Sequence, residues 1–480
     1  MLLNLRGPGP LYRRIYHALK SEIGAGRLLP GARLPSTRAL SADLDVSRNT
    51  VVLAYEQLVA EGYLASRDRS KATVAGEAPS HTLPASSRLK PEDRPRLSAY
   101  GRRLTKDPAM PPSGSYAVRP CTRYDFRYGR PAIHEFPREI WRRLLAARAR
   151  RNSLDTFGYA APSGYAPLRK ALADYLRRAR GLNCDADQIV IVNGSQQGFD
   201  LAARVLLDPG DAVVIEEPHY HGSRLAFEAV GAKPIAIPVD AEGLDTSRLP
   251  AVARLACVTP CHQFPTGVIM PLGRRLALLD WASRTGAWVI EDDYVSEFRY
   301  EGRPIEALQA LDRAGRVIYV GTFSKTLFPA LRLAYLVLPH ALVKAFIAAK
   351  WMADRYTAML GQEALTDFIT SGHFERTLRR TSARNAARRR ALIEALGRHF
   401  GDRVEIAGEN AGVHLLVWLN GVAPREVDSL IARAARAGVG VYPISPYYLR
   451  PPRRAGLLFG YASLTEADIR AGIRRLAEVV

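Results

Sequence analysis

Cysteine is scarce in this 480-residue chain: there are four, Cys121, Cys184, Cys257 and Cys261, with no paired spacing that would mark a disulfide framework. That scarcity suits a reducing compartment. Cys257, Cys261 and His262 lie close together, but no fourth ligand follows at a spacing that a metal site needs, so no metal is expected. Long apolar runs are also missing. None approaches the roughly 20 residues of a bilayer-spanning helix, and no apolar leader core precedes the first Gly-Pro pairs. A cytoplasmic protein without a membrane partner is therefore expected. Acids are few as well, 47 against 68 lysines and arginines, for a formal net charge of +21. A surplus of that size favours an anionic partner, and nucleic acid is the commonest one for a soluble chain. Residues 1–123 hold 20 of the basic residues against 10 acids, so about half of the surplus sits in the first quarter of the sequence. No internal repeat is present, and the length exceeds one ordinary domain, which predicts one small and one large domain.

What is there begins with helical periodicity. Leu11, Ile15, Leu19 and Ile23 are four apart, one apolar stripe of a helix that ends at Gly24 or Gly26. "LPSTRALSADLDV" starts a second helix with Ser36 as N-cap, and "VSRNTVVLAYEQLVAEGYL" a third with Ser47 as N-cap and Val51, Tyr55, Leu58 and Val59 facing inward. So short a connection as "DLDVS" predicts a helix-turn-helix, and "YLASRDRSKATVAG" behind it a two-stranded wing. Residues 1–76 are thus expected to form a winged helix-turn-helix DNA-binding domain. Prolines then crowd a stretch with no period, residues 77–123, which reads as a linker with one helical turn at most. As a coil it would span roughly 35 Å.

Residues 124–480 change grammar to α/β. "QIVIVNGSQQGFDLAARVLL" is strand, glycine turn and helix; "DAVVIEEPHYHGSRLAFEAV" repeats the scheme; "ARLACVTP", "AWVIEDDY" and "RVIYVGTFSK" add strands. A mostly parallel sheet with helices on both faces is expected, then a long helical stretch after Leu338 and a small C-terminal α+β subdomain.

The chemistry gathers at the strand ends, where open α/β sheets bind ligands. In "GTFSKTLFPALRLAY" a lysine, Lys325, lies near a second cation, Arg332, an arrangement that lowers an amine's pKa and makes it nucleophilic toward an aldehyde. Thr322 and Ser324, with Arg332, supply donors for a phosphorylated ligand. The turn in "NGSQQG" opens a helix, so the backbone N–H groups of Ser195 and Gln196 are placed to cup a phosphate. In "VIEDDYVSEF", Asp292 is the acid chosen to keep a pyridine nitrogen protonated, with Glu291 and Asp293 beside it, and Tyr294 is placed to reach a phenolic oxygen. Tyr220, in "EEPHYHGS", is placed to stack on the ring. Together these predict pyridoxal 5'-phosphate.

The strings "LPSTRALSADLDVSRNTVVLAYEQL", "HQFPTG", "IEDDYVSEFRY" and "GTFSKTLFPALRLAY" jointly resemble one family over nearly the whole chain. The large domain is similar to the fold type I pyridoxal-phosphate transferases, and the first 75 residues or so to the winged helix-turn-helix of GntR regulators. Their union resembles the MocR subfamily, whose members include sensors of γ-aminobutyrate, of taurine and of pyridoxal phosphate. The resemblance implies a transcriptional regulator that senses the cofactor, or an amine or amino compound, through an aldimine at Lys325, with at most residual transaminase activity. The alternative is a working aminotransferase fused to a DNA-binding module.

The same resemblance implies more at single positions. Phe264 stands where aminotransferases place an asparagine on the cofactor's phenolic oxygen, which leaves His262 or Tyr294 for that bond. Gly456 stands where a substrate-carboxylate arginine is usual, with Arg453 and Arg454 out of register, and Gly222 where the γ-aminobutyrate sensor has a second arginine. Tyr159 resembles the tyrosine that reaches a partner's phosphate, implying a domain-swapped homodimer that reads repeated half-sites of double-stranded DNA. On the DNA side, Arg48, Asn49 and Thr50 open the recognition helix behind Ser47. Arg33, Ser36, Thr37 and Arg38 are placed for phosphates or the groove edge, and Arg69 and Lys71 sit in a wing tip that lacks the usual glycines. The arginine run from Arg376 reads as a solvated helix face.

Overall fold

The computed structural model describes residues 3, 5, 8–68, 71–76, 96–105, 122–150, 157–302 and 305–480. Two compact units emerge, Met1–Arg96 and Leu97–Val480.

In the first unit, helices α1 (Leu11–Gly24), α2 (Thr37–Asp43) and α3 (Arg48–Ala60) precede an antiparallel pair, β1 (Leu64–Asp68) and β2 (Lys71–Val74). The apolar core is Ile15, Leu19, Leu40, Val51, Ala54 and Leu58, all without exposure. Val51, Ala54, Tyr55 and Leu58 follow the i, i+3, i+4, i+7 spacing of one helix face. Val59 does not face inward: one residue on from Leu58 it turns away from the core and is 38% exposed, as is Leu11 at the first turn of α1. Both serines cap as expected, Ser36 Oγ accepting the Ala39 N–H and Ser47 Oγ the Thr50 N–H, each at 3.2 Å. Between α2 and α3 the chain reverses through Asp45 at φ 54, a left-handed conformation that aspartate tolerates better than most side chains. The Tyr55 hydroxyl donates to the Pro35 carbonyl at 2.9 Å and fixes the start of α2 against α3.

The second unit opens with α4 (Ala99–Leu104), inside the segment read as linker. It packs on the helix His221–Val230, where Arg103 Nε donates to the Ala229 carbonyl at 2.9 Å. After β3 (Tyr124–Asp125) come the strands of the large sheet: β4 (Ile189–Val192), β5 (Ala212–Glu217), β6 (Lys233–Asp240), β7 (Gly243–Leu244), β8 (Ala253–Val258), β9 (Trp288–Asp293), β10 (Val317–Thr322) and β11 (Ala334–Val337). Their order is β4-β11-β10-β9-β8-β5-β6-β7. From β10 to β6 all neighbours run parallel, whereas β11 and the short β7 are antiparallel. Strands such as "IVIV" are apolar throughout because helices cover both faces of the sheet.

A smaller antiparallel sheet follows, with β12 (Val404–Ala407), β13 (His414–Leu419), β15 (Tyr442–Pro443) and β16 (Ala455–Gly460) in the order β12-β13-β16-β15. It packs against the helices His373–Phe400, Val427–Arg436 and Glu466–Ala477. Residues 124–126 are pinned to it: β3 pairs with β14 (Val439–Gly440), and Gly460 N–H donates to the Phe126 carbonyl at 2.8 Å. That anchorage brings the next turn, Tyr128 to Arg130, to the mouth of the large sheet.

Candidate functional site

Strand alternation separates the three acids of β9, since successive side chains point to opposite faces. Asp293 is held by Arg180, with Nη2 at 2.8 Å and Nε at 3.1 Å, and by the Tyr319 hydroxyl at 2.7 Å. Glu291, on the same face, accepts the Leu308 and Gln309 N–H groups at 2.7 and 2.9 Å. Neither acid lies at a solvated strand end, because all three carboxylates are buried. Asp292 points the other way, and among the described residues no group donates to it. Burial pushes its carboxyl up to about 8, with Asp293 and Glu216 adding to the shift and Lys325 opposing it. Glu216, in β5, is pushed up to about 7 by burial although Thr259 and Gln263 donate to it.

Lys325 is half-buried, and its Nζ donates to the Gly129 carbonyl at 2.8 Å. Burial lowers its pKa and the Asp292 charge works against that. The lysine and the open acid therefore lie close enough to shift each other: burial pushes the amine toward its neutral, nucleophilic form, and the acid, when charged, opposes that.

Sheet register assembles the anion cup. β10 pairs Thr322 with Ala334, and β11 pairs Ala334 with Val192, so the residues just beyond these ends converge. Arg332 Nη2 donates to the Asn193 carbonyl at 2.8 Å, while the Thr322 hydroxyl meets Ser324 Oγ at 3.1 Å and accepts the Ser324 N–H at 3.1 Å. Gly194 adopts φ 86, which glycine takes without strain, and a Cβ there would stand 2.5 Å from Arg332 Nη2 and push that guanidinium aside. The helix Ser195–Leu206 starts at this turn and aims its free N–H groups outward. Arg332 itself adopts φ 54, a strained conformation for arginine of the kind that clusters at binding sites.

Aromatic rings cluster around Phe264. Tyr220, 37% exposed, stands at the N-cap of the helix His221–Val230 with its ring centroid 5.8 Å from that of Phe264, and Gln196 Nε2 donates to the Gly222 carbonyl nearby. Phe264 also meets Tyr128, Tyr294, His414 and Tyr447. Among the described residues the Tyr294 hydroxyl is buried without a hydrogen-bond partner, and the His262 ring is buried beside the Gly267 backbone. Burial holds His262 down at about 3 and His414 at about 4, so both rings are neutral at physiological pH. Both positions where the resemblance would place an arginine are closely packed: a Cβ at Gly222 would stand 2.3 Å from Gln196 Oε1 and 2.5 Å from the Tyr220 ring, and one at Gly456 2.9 Å from Trp418, so a side chain at either would need its neighbours to shift. Arg454 turns away to Glu405 and lies over Trp418.

Tyr159 stands apart, 88% exposed, with its ring against Tyr356. On the first unit Arg33, Ser36, Arg38, Ser47, Arg48 and Asn49 are exposed and Thr37 and Thr50 half-exposed, along α2 and the start of α3. Arg48 Nε reaches Thr37 Oγ1 at 3.4 Å. Arg69 lies outside the described residues, and Lys71 is placed only by its backbone, at the start of β2. Sequence reasoning passed over Gly129, Glu216 and the pair Lys350 and Asp354. Only the last left a trace, a lysine and an acid four apart on a helix.

An open buried carboxylate, an unpartnered phenol, a half-buried lysine and a helix-end cup together fit pyridoxal 5'-phosphate. They define a pyridoxal-phosphate-dependent fold type I protein joined to a DNA-binding winged helix. Aminotransferase class I and II matches residues 134–476, and the gntR family of bacterial regulatory proteins matches residues 11–74. The chain is 39% identical to the probable rhizopine catabolism regulatory protein MocR of Rhizobium meliloti, over 97% of this chain and 93% of that one. It is 29% identical to the pyridoxine biosynthesis regulator PdxR of Corynebacterium glutamicum, over 100% and 98%. Among solved structures, a Pyrococcus horikoshii kynurenine aminotransferase in complex with PMP is similar at TM-score 0.74 and 30% identity, over 82% of this chain and 98% of that one. The chain belongs to the MocR-type GntR transcriptional regulators.

Proposed function

We propose that this regulator senses a small molecule at Lys325 and reports it to DNA, with residues 1–76 as the DNA-binding domain, 77–123 as the connection and 124–480 as the effector domain. The observation that carries the reading is Asp292, the one acid of its strand left without a donor and placed to feel the lysine's charge. When bound, pyridoxal phosphate supplies an aldehyde that condenses with amines and a ring that withdraws electrons. Lys325 would supply the amine that meets the aldehyde, Asp292 would keep a proton at the ring nitrogen, and Tyr294, with His262 near it, would serve the phenolic oxygen. Tyr220 would supply an aromatic face for the ring. Ser195 and Gln196, with Thr322, Ser324 and Arg332, would hold the phosphate.

Glycine in place of arginine at Gly222 and Gly456, each closely packed by its neighbours, supports an effector that needs no carboxylate clamp, either the cofactor itself or an amine. One relative is named for pyridoxine biosynthesis, which favours the cofactor's arrival as a signal. The exposed rings of Phe157 and Tyr159 support a homodimer whose partner covers them, and a two-fold dimer would read repeated half-sites. No helix among the described residues is long and apolar enough to cross a membrane, and a role on DNA supports a cytoplasmic location. A ligand changes the arrangement on DNA only by binding one arrangement better than another. Footprinting on the DNA upstream of the protein's own gene, with and without pyridoxal phosphate and simple amines, tests this. Protection that is identical in every arm would sink the sensor.

A further inference from the structure

Behind the anion cup lies an ion pair between a buried lysine and a half-buried aspartate. Lys350, in the helix His340–Asp354, has no exposure, and its Nζ is 2.5 Å from Asp354 Oδ1. The other oxygen, Asp354 Oδ2, accepts from Asn193 Nδ2 at 2.5 Å and from Gln197 Nε2 at 2.8 Å. Gln197 Oε1 accepts the Asn193 N–H at 2.8 Å, and the Asn193 carbonyl accepts from Arg332. Asn193 and Gln197 flank Gly194, Ser195 and Gln196, so a single carboxylate grips both ends of the turn that would hold a phosphate.

A carboxylate is an awkward clamp for an anion site. It is a good acceptor for two amide side chains, yet in a half-buried setting its charge is poorly screened and repels a phosphate nearby. Lys350 removes that difficulty. Burial pulls the lysine's pKa down while Asp354 pushes it back, and the pair presents the hydrogen bonds of a carboxylate with little net charge. Were packing alone required, an apolar side chain would fill this wholly buried position without the desolvation cost.

We propose that Lys350 is a positioning residue for phosphate recognition: it cancels the charge of Asp354, so that Asp354 shapes the 193–197 turn without weakening the hold on the phosphorylated cofactor. The proposal rests on the cofactor assignment above. It touches none of the reacting atoms.

The test uses the full chain and two aldehydes, pyridoxal phosphate and pyridoxal, each titrated by visible absorbance to give a ratio of dissociation constants. Lys350→Met is expected to weaken pyridoxal phosphate about tenfold and to leave pyridoxal within about twofold, because only the phosphate meets the uncovered charge. The double variant Lys350→Met with Asp354→Asn is expected to regain most of the preference. A merely structural lysine would lower both aldehydes together, and the double variant would not recover. Lys350→Gln gives the same comparison should the methionine variant not fold. An unchanged ratio in the single variants, or a double variant that stays low, overturns the proposal. Wild-type protein that binds neither aldehyde would instead remove the cofactor assignment itself.

Discussion

The two units handle polar side chains in opposite ways. In the first, the groups placed for recognition stand in solvent on a thin shell over an apolar core: Arg33, Arg38, Arg48 and Asn49 are all exposed. In the second, the corresponding groups are sunk below the surface, and Asp292, Glu216 and His262 are buried among aromatic rings and strands. The difference follows from what each meets. A polyanion arrives from outside and is held by long cations whose attraction salt screens. A small aldehyde must be held in a dry site, where burial shifts each group's proton affinity and unpaired atoms wait for a ligand. One unit is therefore expected to answer to salt, and the other to pH and cofactor.

The largest effect expected is on the buried side. Lys325→Ala should abolish covalent capture of pyridoxal phosphate, read as loss of the visible band and of the borohydride-reduced adduct in mass spectrometry. Salt-dependent binding to non-specific DNA should persist unchanged, because that belongs to the other unit. A reduced adduct on a different lysine would break the contrast at its root.

Next comes the open acid. Asp292→Asn should weaken pyridoxal phosphate by roughly ten- to a hundredfold, the loss of one hydrogen bond to a charged group. It also has a pH signature. Burial raises the Asp292 pKa in the folded state to about 8, above its ordinary value. Its contribution to stability is then full at low pH and lost as pH rises through about 8. Thermal melts of the cofactor-free proteins should show the wild type losing ground to Asp292→Asn from pH 5 to pH 8 and levelling off beyond. A difference that is flat over that range would mean that the acid is ionised in the fold.

Much of this was legible in the sequence because it is local. The two helix caps, the tight turn between α2 and α3 and the strands ending in the acids and in Lys325 are each set by a few neighbouring residues. The α/β order of the large unit could be read from short apolar runs. What escaped depends on distant contacts. Gly129 meets Lys325 across 196 positions, through a segment held by the C-terminal sheet, and no spacing rule reaches that far. The distinct fates of Glu291, Asp292 and Asp293 needed Arg180 and Tyr319 on one face before the other could be seen to be empty. Val59 was misjudged because periodicity gives an angle around a helix but not where the core ends.

On the exposed side the effects should be smaller and of another kind. Arg48→Ala is expected to cost about 1–3 kcal/mol of operator binding if it reads a base edge, and to relax preference at one position. Arg38→Ala should weaken all sequences alike and reduce the slope of log affinity against log salt by about 1. Neither should move the visible spectrum of the bound cofactor. A change in that band, measured without DNA, would show that the two units are not as separate in their chemistry as their side-chain burial suggests.

The smallest effect sharpens the contrast within the DNA-reading unit, where exposure alone does not separate a contact from a support. Ser47 is exposed, but its hydroxyl is engaged, accepting the Thr50 N–H at 3.2 Å and lying 2.6 Å from Thr50 Oγ1. Ser47→Ala would leave that N–H to water and is expected to destabilise the first unit by about 1 kcal/mol, seen in the melting of residues 1–76 and not in the large unit. Ser47→Asn keeps an oxygen at the cap and should recover that stability. If operator affinity recovers with it, Ser47 acts on DNA only through the helix it starts. If stability returns and affinity does not, the serine hydroxyl is itself part of the reading surface, and its exposure has the same meaning as that of Arg48.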